Sequence, residues 1–400
     1  MNVLFLSISP LGDFNGHSIS IDLLHEFVRN GHKVYAIGAL QRRENRDTYI
    51  SEESGCTVLR VKVGNNKKAN IIEKGITTVT LPYQYISAIK KYFADINFDL
   101  VMYPTPPVTM VETVRFVKKR DGAKSYLLLK DIFPQNAVDI GLMTNSGIKG
   151  LPYKFFRKKE KQLYAVSDHI GCMSKANVDY VLKHNPEVTP KKVEVCPNSI
   201  EIQDMRISEQ DRVEVRKKYN IPLDKTVFVY GGNLGKPQGI PFLINCLREE
   251  KENSNVFFLI VGDGTEYGKL EKFVDEESPK NMVLMKRLPK EDYDILVAAC
   301  DVGMIFLDYR FTIPNFPSRL LGYMQAGLPV LACTDSNTDI GEVITNGKLG
   351  WSCFSDDVQA FKSLVSGVED ADCKTIGLNG FEYLKTNYTV SKAYKIIMKE

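Results

Sequence analysis

Apolar residues along the chain switch repeatedly between short continuous runs and a helical spacing of three and four. Continuous runs of β-branched and large apolar residues read as strands buried on both faces, and the helical spacing as amphipathic helices laid over them. Residues 3–9 (VLFLSIS) predict a buried strand and 12–18 a polar loop. Ile19, Leu23, Leu24, Phe27 and Val28 then share one helical face, which stops at Asn30 and Gly31 before a second strand at 33–37. That is a βαβ unit opening a doubly wound sheet. Further strand-like runs at 100–103, 125–129 and 169–173 extend it. A second series begins at 226–230 and continues at 256–261, 282–285, 302–306 and 329–333. The stretch 201–220 is polar and charged between the two sets and predicts a linker. The expected fold class is α/β: two Rossmann-like domains facing across a cleft, over 1–200 and 221–400, with the last helix packing back on the first domain.

With 400 residues, 44% of them hydrophobic, the chain can fill two cores. Lys and Arg number 52 against 49 Asp and Glu, a net charge of +3, which is too small to call for nucleic acid as a partner. The eight cysteines are scattered without a C-x-x-C pair or a histidine cluster of metal spacing, so they read as small buried thiols of a reducing compartment, with no metal site. The N-terminal MNVLFLSISP lacks a positively charged segment before its short apolar run and reads as a first strand, not a signal peptide. No run approaches the roughly 18 apolar residues of a membrane span. The expected location is therefore cytoplasmic, with peripheral contact at the inner face of the membrane left open.

The stretch 315–335, NFPSRLLGYMQAGLPVLACTD, carries the clearest candidate chemistry. It reads as a turn, an N-cap at Ser318, a short helix, a stop at Gly327 and a buried strand. The free N–H groups at 318–320 and the positive helix end would face a phosphate, with Arg319 beside them. An ordinary αβ unit gives the same pattern. About ninety residues upstream, the strand 226–230 runs into GGNLGKPQG (231–239), where glycine lets backbone approach phosphate closely, although a plain tight turn reads alike. VGDG (261–264) adds a third turn at a strand end, and ligands of open α/β sheets sit at carboxyl strand ends.

Taken in order, NGHSISIDLLHEFVRNGHKV (15–34), KDIFPQ (130–135), VCPNSI (195–200), YGGNLGKPQG (230–239), VGDG and PSRLLGYMQAGLPVLA (317–332) make the chain resemble the GT-B glycosyltransferases of family 4, in the branch that builds bacterial surface polysaccharides such as capsule. The resemblance implies a retaining transfer of a hexosyl or N-acetylhexosaminyl group from a nucleotide-sugar donor, UDP-linked, to a lipid-linked saccharide acceptor, without a cofactor. The positions it implies for donor binding are Gly232, Asn233, Gly235, Lys236, Arg287, Asn315, Phe316, Ser318 and Arg319. Two glutamates eight positions apart, which in the family touch the donor sugar and the ribose hydroxyls, are replaced here by Pro314 and Gly322. Asn315 and Phe316 stand in for the first and Glu342 for the second. Asn233 and Gln238 occupy the places of an arginine and a lysine common in relatives.

On the acceptor side Gly12, Asn15, Gly16 and Gln135 are expected to line the site, with Asp131 orienting or deprotonating an acceptor hydroxyl and His17 in the facing loop; either of the last two residues also reads as a helix or turn cap. The helix 152–164 sets Lys154, Arg157, Lys158 and Lys161 on one face, opposite Tyr153, Phe156, Leu163 and Tyr164. That pattern fits an anionic membrane surface and equally an ordinary surface helix. A sugar-nucleotide epimerase of the same architecture and a non-catalytic nucleotide-binding scaffold remain as alternatives, the latter supported by the missing glutamate pair.

Overall fold

The structure, a computed structural model, describes residues 1–65 and 71–399 and divides into two compact units. Unit 1 comprises Met1–Glu201 with Thr389–Glu400, and unit 2 comprises Ile202–Tyr388.

Among its described residues, unit 1 is built on eight strands: β1 (Asn2–Leu6), β2 (Lys33–Gln41), β3 (Tyr49–Glu53), β4 (Cys56–Val63), β5 (Leu100–Pro104), β6 (Lys124–Leu129), β7 (His169–Cys172) and β8 (Val193–Val195). Their order is β3-β4-β2-β1-β5-β6-β7-β8, and every pairing is parallel except β3 with β4. β1 lies centrally and Val3, Leu4, Phe5 and Leu6 are at most 1% exposed, as a strand covered on both faces requires. The helix Ile19–Arg29 is capped by Ser18, whose hydroxyl accepts from the Ile21 amide, and buries Ile21, Leu23, Leu24 and Phe27. The helix Val390–Met398 belongs to this unit: the rings of Tyr394 and Phe27 meet edge to face at 5.0 Å, and Ala393, Tyr394 and Ile397 enter the same core. The hairpin β3–β4 is absent from the sequence reading. β3 carries one clearly apolar residue, Ile50, and exposes it, so an edge strand leaves little hydrophobic signal.

Unit 2 carries six parallel strands in the order β11-β10-β9-β12-β13-β14: β9 (Thr226–Asn233), β10 (Val256–Asp263), β11 (Met282–Lys286), β12 (Val302–Phe306), β13 (Val330–Thr334) and β14 (Gly350–Phe354). Phe228, Phe258, Phe306 and Phe361 form one ring-packed core, with Phe228 on Phe258 at 5.3 Å. The expected linker 201–220 is corrected. It contains the helix Glu209–Lys218, whose Arg216 is buried and donates to the Ala299 carbonyl at 2.8 Å and to Asp301 at 2.6 Å. The polar composition that suggested a linker belongs to a surface helix pinned by one buried arginine.

Both sheets have a switch point where strand order reverses: between β1 and β5 in unit 1, and between β9 and β12 in unit 2. Loops leaving the carboxyl ends there diverge and open a crevice for a ligand.

Candidate active site

At the unit 2 switch point β9 extends further than the sequence suggested. Gly231, Gly232 and Asn233 are still strand, registered against Val261, Gly262 and Asp263 of β10. Gly232 has φ +112°, a conformation that a side chain would strain. Beyond it Gln238 folds back, its Oε1 accepting from Asn233 Nδ2 at 2.9 Å and from the Gly235 amide at 3.1 Å. Gly232 and Asn233, with Val261–Gly264, Arg287, Leu288, Lys290 and Tyr293, line a pocket of about 410 Å³.

Arg319 comes to the same place from the helix Arg319–Gln325. Its guanidinium lies 4.3 Å over the Tyr230 ring. Nη2 is 3.9 Å from the position a Cβ on Gly232 would take, and Nη1 is shut off from solvent with no hydrogen-bond partner. A guanidinium keeps its charge under all ordinary conditions. Burial raises the Tyr230, Tyr293 and Tyr323 phenols, Tyr323 to about 12, so they stay neutral around it. Tyr323 lies four residues after Arg319 on the same helical face, and its hydroxyl donates to the Met304 carbonyl at 3.0 Å. This tyrosine cradle escaped the sequence reading, although the four-residue spacing was visible there. A half-buried cation with a buried, unpaired donor, beside a glycine strand end, is equipped to hold an anion.

Several expectations are corrected. Ser318 is no N-cap: it is exposed, already helical in backbone (φ −66°, ψ −14°), and its side chain makes no capping bond. The Leu320 amide is taken by the Pro317 carbonyl at 3.3 Å, so it does not face a phosphate. Lys236 lines a separate cavity of about 360 Å³ with Glu266, Lys269, Asp308 and Arg310. Glu342 is exposed on the helix Ile340–Asn346, outside the lining of either cavity. Asn315 offers a buried Nδ2 without a partner, while its carbonyl accepts from the Thr338 hydroxyl. Phe316 packs against Tyr388, rings 6.4 Å apart. Gly322 is exposed, and nothing lies within 4 Å of a Cβ added to it, so no protein backbone requires the glycine.

In unit 1, Thr105 from the loop after β5 donates to the Asp131 carbonyl at 3.1 Å and ties it to the loop after β6. The carboxyl Oδ2 accepts from Asn136 Nδ2 at 2.6 Å, and Oδ1 is buried without a partner. Burial pushes the Asp131 carboxyl up to about 6, and burial also lowers the neighbouring Lys130 to about 8. Gln135 is held by Asp139 and Tyr153. The loop bearing Gly12, Asn15 and Gly16 is fastened elsewhere, by Arg60 on the Gly12 carbonyl and Ser54 on Asn15. His17 pairs with Asp22 at 3.1 Å in the first turn of the following helix and is not held by Asp131.

The basic stripe is uneven. Arg157 serves the fold, binding Glu160 at 2.7 Å and Asn185 at 2.7 Å, and Lys161 pairs with Glu187 at 3.0 Å. Lys154 and Lys158 are exposed, as is Lys149. Nearby Ile148 is 86% exposed, Leu142 64% and Leu151 59%.

Two α/β units, each with a switch point in its sheet, have the architecture of the GT-B fold. Residues 211–374 match the family model for "Glycosyl transferases group 1". The chain is 23% identical over 330 residues, 82% of its length and 80% of the relative, to WbjE of Pseudomonas aeruginosa, named as a glycosyltransferase. WcaI of Escherichia coli K12, named for colanic acid biosynthesis, is 22% identical over 280 residues, 68% of this chain and 66% of WcaI. Among solved structures, HepE of Anabaena in complex with UDP superposes with a TM-score of 0.69 at 16% identity, covering 100% of this chain and 99% of HepE.

Proposed function

We propose that unit 2 binds a UDP-linked sugar, and that the enzyme transfers the sugar with retention of configuration to a lipid-linked saccharide during polysaccharide biosynthesis. The observation that carries this reading is Arg319, a half-buried cation with an unpartnered Nη1 over Tyr230 and beside Gly232. When the sugar departs, negative charge builds on the distal phosphate of the nucleotide. A guanidinium held in place before the reaction stabilises that charge without reorganising. The nucleoside fits the 410 Å³ pocket, whose Arg287 and Lys290 donate to the acceptor-rich edge of a uracil. The names of WcaI and HepE's UDP complex point the same way.

Asp131 orients the acceptor hydroxyl and takes its proton. A carboxyl near 6 is basic enough to do so and still ionised at neutral pH. Attack from the side of the leaving group then retains configuration without a covalent intermediate. No helix among the described residues is long and apolar enough to cross a membrane. Ile148, Leu151 and Leu142, with Lys149, Lys154 and Lys158, form a face suited to an anionic bilayer that presents the acceptor. Thermal-shift screening of nucleotide-sugars, followed by turnover with and without a lipid-diphosphate saccharide, tests the reading. A UDP-sugar should stabilise the protein and be consumed only with acceptor; stabilisation by no nucleotide-sugar would refute it.

A further inference from the structure

The glutamate that the family resemblance assigns to the ribose hydroxyls is absent at Gly322, yet the pocket contains a carboxylate. We propose that Asp263 holds the ribose diol of the donor nucleotide. This rests on the donor reading of the pocket. Asp263 is the one carboxylate among the residues lining it, where Arg287 and Lys290 supply positive charge and Leu288 and Tyr293 an apolar wall. It ends β10, directly opposite Asn233 on β9, at the carboxyl end of the sheet.

Its setting is built to tight tolerance. A Cβ at Gly262 would lie 2.1 Å from the Gly232 carbonyl oxygen, and one at Gly264 would lie 2.3 Å from the Leu234 carbonyl oxygen. The two glycines therefore press the turn onto the β9 strand end, and the Leu234 amide donates to the Asp263 carbonyl at 2.9 Å. The Gly264 amide fixes Oδ1 at 2.8 Å, and the residue is exposed and lines the pocket. A carboxylate oxygen accepts from two adjacent hydroxyls, which is how acidic residues at strand ends grip ribose in other nucleotide folds. The same carboxylate beside Arg287 and Lys290 also keeps the pocket from being uniformly cationic, so that the diphosphate settles at Arg319 and not at the nucleoside end.

The experiment measures the affinity of the full chain for UDP and for 2′,3′-dideoxy-UDP by calorimetry. The native protein should favour UDP by about ten- to a hundredfold, the value of hydrogen bonds to a charged group. Asp263→Asn, which keeps an oxygen for the Gly264 amide, and Asp263→Ala should both weaken UDP binding toward the dideoxy level and leave dideoxy-UDP binding within about twofold. A native preference for UDP that survives unchanged in both variants overturns the assignment and leaves the donor site standing. Failure of the native protein to bind either nucleotide overturns the donor reading and this assignment with it.

Discussion

Replacing Arg319 by alanine separates a ligand-binding cation from a structural one, because the two roles move stability in opposite directions. In the free protein the guanidinium stacks on Tyr230 at 4.3 Å, a contact worth about 0.5–2 kcal/mol, but its Nη1 is buried without a partner. Burying a charge without its full set of hydrogen bonds costs up to several kcal/mol. Removing Arg319 therefore removes a favourable contact and an unfavourable burial together, and the unliganded variant should melt within about 3 °C of the native protein. With nucleotide the balance changes. The diphosphate supplies the missing acceptor, and one charge-assisted hydrogen bond contributes about 1.5–3 kcal/mol, so the variant should bind UDP about ten- to a hundredfold more weakly. Arg319→Lys keeps the charge but loses the planar stack and the fork, and should fall between. Calorimetry with UDP and thermal melts with and without it give both numbers. Unchanged UDP affinity would remove Arg319 from the site. A loss above about 3 kcal/mol in the free protein would show that the arginine holds the fold.

Gly322→Glu should fold, since an added Cβ meets nothing within 4 Å, and should gain about 0.5–1 kcal/mol of helix stability while turning over donor more slowly; faster turnover would show that the site still uses a glutamate at this position. Asp131 binds its proton more tightly folded than unfolded, its carboxyl rising from 3.8 to about 6, so the native state loses up to about 3 kcal/mol as pH climbs through that window. Asp131→Asn should abolish this loss in melts between pH 4 and 7 and suppress a rise in kcat/KM with midpoint near 6; an unaltered pH–rate profile in the variant would exclude Asp131 as the base. Changing Lys149, Lys154 and Lys158 to Gln should release the protein from anionic vesicles with UDP affinity intact, whereas Arg157→Gln should chiefly destabilise it, because Arg157 binds Glu160 and Asn185. Equal vesicle binding by the triple variant and the native protein would count against the membrane face.

The two-sheet α/β architecture is legible in the order of apolar runs and helical faces, because burial on both sides of a parallel strand forces an unbroken apolar run such as VLFL or VFFLIV. Local signals of that kind also mark the helix after Ser18 and the glycines of 231–239. They fail where the deciding contact is distant in sequence. The polar segment 209–218 folds as a helix because Arg216 finds Asp301, and β3 forms because β4 offers it an edge. Ser318 has the composition of a cap and no capping bond, since the backbone has already turned helical there. Of the stripe Lys154, Arg157, Lys158 and Lys161, Arg157 and Lys161 are bound by groups some 25 residues on, contacts that no local spacing reveals. At the candidate donor site, Gly232 and Arg319 stand out in the sequence as separate marks. Their meeting over Tyr230 is set by the β9–β12 switch point and by the path of the chain through β12 into the helix behind it. Periodicity and composition report what each segment can bury; which polar groups end up paired, and which are left free for a ligand, depends on neighbours that only the assembled sheet supplies.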